Sequence, residues 1–158
     1  MEIRKIQPED NLQMAAIVRS VLMELGASKI GTAYADPNLE TLYETYNTDR
    51  AVYYVLINEN KIVGGAGVIH LENGEECICE FQKMYFLPEA RGLGFARKIL
   101  DRCLQDAIEF GFKKCYLETM PFMQNAQKLY KNAGFYYLDK PLGNTGHTSC
   151  KVWMMKDL

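Results

Sequence analysis

The most distinctive spacing of residues lies between Phe86 and Leu100, where an apolar run breaks at a proline and passes an arginine and two glycines before an apparent helix. The centre of this stretch, from Arg91 to Ala96, reads RGLGFA. Glycine is favoured where the backbone turns unusually or where a ligand approaches main-chain atoms. A helix that begins there directs unpaired N–H groups, and the positive end of its dipole, towards the turn. The spacing therefore predicts an anion site, for which phosphate is the usual ligand.

Other chemical motifs are missing from the chain. RGLGFA lacks the third glycine of the dinucleotide-binding fingerprint G-x-G-x-x-G. The P-loop motif G-x-x-x-x-G-K-[ST] does not occur in the chain. The five cysteines are an odd number and lie mostly in apolar runs, which is typical of reduced thiols in a cytoplasmic protein. Cys77 and Cys79 form only a C-x-C pair, without the usual spacing or a second pair of zinc ligands. We therefore expect no metal site.

Composition indicates one ordinary domain over residues 1–158. The chain is 48% hydrophobic and 24% charged, which is enough apolar residue to bury a core. A net charge of -2, with basic residues spread along the chain, argues against nucleic acid as an obligate partner. No apolar run approaches the roughly 20 residues of a membrane span. The opening MEIRKIQPED also lacks the apolar centre of a signal peptide, so we expect no membrane partner.

Hydrophobic periodicity and turn residues place the glycine-rich stretch within an α/β pattern. Strands are predicted at 2–6, 51–57, 61–71, 77–87, 113–119, 135–138 and 149–155, and helices at 8–26, 39–46, 91–110 and 121–134. Short turns join the second to fourth strands into an antiparallel meander, and helices connect the strands that follow. The prediction is an α/β fold with a mixed, mostly antiparallel sheet of about seven strands flanked by about four helices.

Two motifs, in this order, resemble the GNAT superfamily of N-acetyltransferases. Residues 91–96 match the superfamily's Q/R-x-x-G-x-G/A signature, and AQKLYKNAGF at 126–135 matches its second motif, A-x-x-L-Y-x-x-x-G-F. The resemblance covers essentially the whole chain. It implies a GNAT-like fold, acetyl-CoA as co-substrate and a primary amine as acceptor. It also implies that two copies pair through their C-terminal strands, as relatives commonly do.

The resemblance places the coenzyme along the strand before the signature and around the two glycines. Backbone N–H groups of residues 92–97 would surround its pyrophosphate, with an arginine at the rim. The main chain of residues 84–87 would pair with the pantetheine arm as an added strand does. Asn125 is included because Met123 stands where many relatives have an asparagine that contacts the coenzyme. The expected contacts are Met84, Tyr85, Phe86, Leu87, Arg91, Gly92, Leu93, Gly94, Phe95, Ala96, Arg97 and Asn125.

Direct attack of an amine on a thioester requires a base, a donor to the oxyanion and an acid. An alkyl amine has a pKa of about 10, so a carboxylate or an ordered water chain must take its proton. Glu80 is the candidate base; the alternative is a solvated residue, because Gln82 shares its side of the strand. Tyr130 of the second motif is the candidate acid for the thiolate, and core packing is its alternative. A β-bulge near Met84 or Tyr85 would turn a backbone N–H towards the oxyanion.

The acceptor is expected to contact the first two helices and the loop between the last two strands. Tyr34 and His147 are the candidate contacts, with buried or solvated side chains as the alternatives. No residue requires a covalent acyl-enzyme, since Cys79 and Cys115 have no histidine or asparagine partner nearby in the sequence. The identity of the acceptor stays open. So does a second function, a non-catalytic acyl-CoA-binding regulatory module that keeps the anion site without the chemistry.

Overall fold

The structure is a computed structural model that describes residues 1–158. Its elements are β1 (Glu2–Lys5), α1 (Asn11–Glu24), α2 (Leu42–Tyr46), β2 (Val52–Asn58), β3 (Lys61–His70), β4 (Ile78–Phe86), α3 (Phe95–Glu109), β5 (Lys114–Thr119), α4 (Gln124–Asn132), β6 (Tyr136–Leu138) and β7 (Val152–Asp157). Every predicted strand and helix is present, with ends shifted by a few residues. The second predicted helix is divided into a short turn, Leu39–Thr41, and α2.

The seven strands form one sheet in the order β1-β2-β3-β4-β5-β7-β6. Only β4 and β5 run parallel, so the predicted mixed, mostly antiparallel sheet is confirmed. Their pairing covers Ile78–Glu80 against residues 114–116 and goes no further. Beyond Glu80 the two strands therefore separate, and an opening forms at their carboxyl ends.

Helices cover both faces of the sheet. Helices α3 and α4 pack on one face, and α1 and α2 pack on the other. Side chains of β2 belong to the cores on both faces. Tyr54 and Leu56 face the core under α3 and α4, whereas Tyr53 and Val55 face the core under α1 and α2. This two-sided burial explains why the strand reads as a continuous apolar run. None of the helices combines the length and the apolar composition that a membrane span requires.

β3 contains glycines where aromatic rings occupy the space of a side chain. A Cβ on Gly67 would lie 2.5 Å from the Tyr53 ring and 2.8 Å from the Tyr46 ring. Gly67 is also the Cα partner of Gln82 in β4. The Tyr46 ring therefore lies beside the face of β4 that carries Glu80 and Gln82.

Candidate active site

β4 carries a β-bulge at Lys83 and Met84, which together stand opposite a single residue of β3. Lys83 has a φ of 55°, in the left-handed region that residues other than glycine rarely adopt. The Tyr53 hydroxyl donates a hydrogen bond of 2.8 Å to the Lys83 carbonyl oxygen and supports this conformation. The irregularity predicted near Met84 or Tyr85 is therefore present.

Consecutive residues of the bulge line two different clefts. Met84 lines a cleft of about 660 Å³ that also contains Gly92, Gly94 and the start of α4, and we call it the glycine cleft. Lys83 lines a second cleft of about 660 Å³, formed with residues 36–49 and the loop at 145–147. We call this one the polar cleft, because Ile69 is its only apolar lining residue. The clefts share no lining residue, so β4 is the element common to both.

The glycine cleft has the backbone geometry of an anion site. Gly92 and Gly94 have φ angles of 73° and 82°, and a Cβ on either would meet no atom within 4 Å. Gly94 directly precedes α3, and no side chain caps that helix. The first N–H groups of α3 therefore lack an acceptor within the helix and face the open turn with the positive end of its dipole.

Most of the predicted coenzyme contacts line the glycine cleft. They are Met84, Tyr85, Phe86, Arg91, Gly92, Gly94, Ala96, Arg97 and Asn125. Leu87 and Phe95 instead pack against the core, and Leu93 is exposed outside the lining. Phe122, just before α4, is 52% exposed and also lines the cleft. An exposed ring in an apolar cleft suits a ligand that covers it.

Arg91 is already engaged by another residue. Its two terminal nitrogens donate to the Glu24 carboxylate at 2.7 and 2.8 Å, and its Nε donates to the Phe86 carbonyl oxygen at 2.8 Å. The pair connects the end of α1 to the end of β4 at the rim of the glycine cleft. A phosphate at this rim would compete with Glu24 for the guanidinium.

Glu80 lies at the inner end of the polar cleft. It is 4% exposed, and Nε2 of Gln82 donates to its Oε2 at 2.9 Å. Burial raises the pKa of Glu80 to about 7, against the opposing charges of His147 and Lys83. The interpretation of Glu80 as a solvated strand residue is wrong, because the segments that form the polar cleft cover this face of β4.

Asp36 holds the two basic groups of the polar cleft. Its Oδ2 lies 2.8 Å from Nζ of Lys83, and its Oδ1 lies 2.9 Å from Nε2 of His147. The Lys83 side chain is 3% exposed and also donates to Oε1 of Gln82. Burial alone would lower the pKa of His147, but the hydrogen bond and charge of Asp36 outweigh it and the pKa is raised. The alternative of a solvated loop histidine is therefore wrong.

Glu118 of β5 lies close to Glu80 and His147, although it does not line the polar cleft. Its Oε1 accepts a hydrogen bond from the Tyr116 hydroxyl, and its Oε2 accepts one from the Thr145 hydroxyl, both at 2.7 Å. Nδ1 of His147 lies 4.0 Å from the same Oε2. Glu80, Glu118 and His147 each bring a side-chain N or O atom within 4.8 Å of the others. The arrangement is a cluster of titratable groups in which each member already has a hydrogen-bond partner.

Tyr130 stands behind the wall of the glycine cleft. Its ring packs in the core, with its centroid 6.2 Å from that of Phe81 and 5.9 Å from that of Phe135. Burial raises the pKa of its hydroxyl above the usual value. The neighbouring Ala126 and Leu129 of α4 line the cleft, whereas Tyr130 does not. The structure thus places Tyr130 in the core and next to the glycine cleft at once.

Tyr34 lies outside the polar cleft, with its ring near the cationic groups of Arg19 and Lys29. Sequence reasoning singled out neither Lys83 nor Glu118. The parallel pairing of β4 with β5 indicates that Glu118 lies near Glu80. Glu80 pairs with Tyr116, and Glu118 is two residues further along β5 on the same face. Nothing in the sequence indicated the contact of Asp36 with residue 147.

We expect Asp36→Asn to lower the free energy of unfolding by about 3 kcal/mol, because it leaves the buried Lys83 ammonium without a counter-charge. Removing the carboxylate also lowers the pKa of His147, since Asp36 supplies the largest effects that oppose burial. Urea unfolding measures the first effect and NMR titration of the imidazole the second. Asp101→Asn breaks an exposed pair with Arg97 and is the control. Equal losses in both variants would contradict the role of Asp36.

Comparison with known proteins places this geometry in context. The model of the acetyltransferase (GNAT) family matches residues 21–135. The chain is 43% identical to the uncharacterized N-acetyltransferase YjgM of Escherichia coli K12 over 157 residues, which is 99% of this chain and 94% of YjgM. A GNAT-family acetyltransferase from Staphylococcus aureus Mu50 has the same fold, with a TM-score of 0.88, 22% identity and coverage of 99% and 98% of the two chains. Phosphinothricin acetyltransferase from Sinorhizobium meliloti, solved in complex with acetyl-CoA, has a TM-score of 0.79 at 19% identity, with 99% of this chain and 88% of that chain covered.

Proposed function

Because the chain belongs to the GNAT family of acetyltransferases, we propose that it transfers an acetyl group from acetyl-CoA to a primary amine by direct attack in a ternary complex. The observation that carries the proposal is the placement of the two clefts on either side of the β4 bulge. One cleft has the backbone of an anion site and the other has a buried carboxylate at its inner end. Two substrates that occupy them at the same time would meet at Lys83 and Met84.

The glycine cleft suits acetyl-CoA on three counts. The open turn at Gly92 and Gly94 and the start of α3 offer backbone N–H groups to a pyrophosphate. The end of β4 offers main-chain groups to the peptide-like pantetheine arm. The exposed Phe122 ring and its apolar neighbours offer a surface for the rest of the coenzyme. The S. meliloti relative, which has the same fold, binds this coenzyme.

On the amine side, Glu80 is the proposed base. Its pKa of about 7 lets the carboxylate take a proton near neutral pH, directly or through water, as the amine nitrogen attacks the thioester carbonyl. The bulge at Lys83 and Met84 turns the backbone out of the regular ladder where the oxyanion would develop. Both oxygens of Glu118 already accept hydrogen bonds, so we assign the role of base to Glu80.

Direct transfer fits the state of the cysteines better than a covalent intermediate does. All five are free thiols. Burial raises the pKa of Cys103 and Cys115, and it raises the pKa of Cys150 to about 12. A thiolate nucleophile at these positions is therefore disfavoured at neutral pH.

Tyr130 is the proposed acid that protonates the departing thiolate. We expect Tyr130→Phe to lower kcat by about 10²-fold, with the dissociation constant for acetyl-CoA unchanged, because the ring still fills the core. Assays of thiol release measure kcat, and calorimetric titration measures the dissociation constant for acetyl-CoA. Tyr137→Phe, at an exposed tyrosine of β6, is the matched control. A variant with wild-type kcat would assign Tyr130 to packing alone.

The first experiment is calorimetric titration with acetyl-CoA, followed by assays of thiol release over a panel of alkyl amines, polyamines, amino acids and peptides. Binding together with amine-dependent thiol release supports the proposal. Binding without release on any acceptor would favour an acyl-CoA-binding regulatory module. Absence of binding would overturn the assignment of the glycine cleft.

A further inference from the structure

Carboxylates outnumber available basic groups in the polar cleft. Its lining contains Asp36, Asp49, Glu72 and Glu80, against Lys83 and two histidines. Lys83 and His147 both bind Asp36, and their charges also act on Glu80. The other three carboxylates of the lining, Asp49, Glu72 and Glu80, make no ion pair.

The unpaired carboxylates lie at both ends of the cleft. Glu80 is buried at the inner end, whereas Asp49 and Glu72 are exposed and make no ion pair. Arg50, although adjacent to Asp49, is held by Glu76 and by the Phe110 carbonyl oxygen. The chain thus offers negative charge at two separate places along one cavity.

A neighbouring cleft of about 420 Å³ is lined by Tyr46, which does not line the polar cleft itself. The Tyr46 hydroxyl is the only buried side-chain N or O atom of the chain without a hydrogen-bond partner. Its ring packs over Gly67, beside the face that carries Glu80, and the Glu80 charge contributes to raising its pKa, after burial and Tyr53. A buried polar atom without a partner marks a place where a water molecule or a polar ligand group is expected.

The walls between the two ends are polar and uncharged. Asn38, Thr41, Thr45 and Thr48 supply hydroxyl and amide groups, and Ile69 is the only apolar lining residue. Such walls accept hydrogen bonds from N–H groups and offer little to an aromatic or long alkyl substituent.

We propose that the acceptor is a small alkyl amine with a second cationic group, such as a diamine or polyamine, and this inference rests on the proposed acetyltransferase function. The reacting amine lies at Glu80, and the second ammonium faces the carboxylates of Asp49 and Glu72. A carboxylate at that end of the acceptor would meet two like charges, so zwitterionic ω-amino acids are disfavoured.

The test measures kcat/KM at saturating acetyl-CoA for sets of three amines. The members of a set have alkyl chains of equal length, and the sets cover three to eight methylenes. Each set contains a diamine, the corresponding monoamine and the corresponding ω-amino acid. At the best length, we expect kcat/KM for the diamine to exceed that for the monoamine by about tenfold, with the amino acid lowest. Added salt reduces the preference, because Asp49 and Glu72 are exposed.

The double variant Asp49→Asn/Glu72→Gln tests the residues. We expect its ratio of diamine to monoamine kcat/KM to fall towards one, while Glu59→Gln, at an exposed carboxylate outside the cleft, keeps the wild-type ratio. Monoamines or amino acids used as well as diamines at every length would overturn the inference and leave the acetyltransferase in place. A double variant that keeps the preference would overturn the role of the two carboxylates. If acetyl-CoA binds and no amine releases thiol, the proposed function itself fails.

Discussion

Glu80→Gln is expected to lower kcat/KM by about 10²- to 10⁴-fold, the range that general-base catalysis contributes, because glutamine cannot take the proton of the amine. In the wild-type protein kcat/KM should rise with pH up to about 7, the pKa of Glu80, and then level off. The Glu80→Gln variant should not show this rise of kcat/KM with pH. Acetyl-CoA affinity should not change, because Glu80 does not line the glycine cleft.

Glu118→Gln distinguishes the two buried carboxylates. If Glu80 is the base, this variant keeps the rise of kcat/KM through pH 7 and loses less activity than Glu80→Gln. An acidic limb that disappears in Glu118→Gln and persists in Glu80→Gln would transfer the role to Glu118.

Glu80→Gln is also expected to change the free energy of unfolding. The native pKa of Glu80, about 7, lies above its ordinary value of 4.5, so the native state binds this proton more tightly than the unfolded state does. Stability therefore falls as the pH rises from about 4.5 to about 7, and at pH 8 the ionised carboxylate is a cost. Glu80→Gln removes that cost and should be more stable than wild type at pH 8, by at most ~3 kcal/mol. At pH 4 the difference should vanish, which urea unfolding at both pH values can measure.

Gly94→Glu should weaken acetyl-CoA binding by well over tenfold, because it places a carboxylate against the expected position of the pyrophosphate. The space around Gly94 is open, since an added Cβ would have no atom of the chain within 4 Å. Its left-handed φ of 82° adds backbone strain, which the control must reproduce.

Gly111→Glu is that control. Gly111 has a φ of 85°, also has no atom within 4 Å of an added Cβ, and lies just beyond the other end of α3. The two variants should therefore lose similar stability in thermal unfolding, and only Gly94→Glu should lose affinity in calorimetric titration. Unchanged affinity in a folded Gly94→Glu protein would remove the pyrophosphate from this turn.

Local patterns predicted the framework well, and their errors have physical causes. Alternating and continuous apolar runs located all seven strands, since burial on one or both faces leaves a direct trace in the sequence. The start of α3 was predicted at Arg91 but lies at Phe95, because Gly92 and Gly94 adopt positive φ and delay the helix. Phe122 lies in the helix predicted at 121–134, and helical spacing alone cannot distinguish a residue of the core from one that lines a cleft.

The polar cleft was predicted only in part. Glu80 and His147 were identified as candidates, but Asp36, which binds His147, is 111 residues away in the sequence. Lys83 enters the cleft because the β-bulge changes the direction of its side chain, and strict strand alternation does not anticipate a bulge. Contacts between loops, and departures from regular pairing, depend on tertiary structure, which short-range periodicity does not contain.

The bulge in β4 also affects how binding specificity can change through mutation. Lys83 faces one substrate cleft and Met84 faces the other, so the two binding surfaces have no lining residue in common. The glycine cleft relies largely on backbone geometry, whereas the polar cleft relies on side chains from loops. On the proposed function, mutations at Asp49 or Glu72 would change the choice of acceptor without altering a lining residue of the glycine cleft. Acceptor specificity could then evolve, or be redesigned, independently of donor recognition.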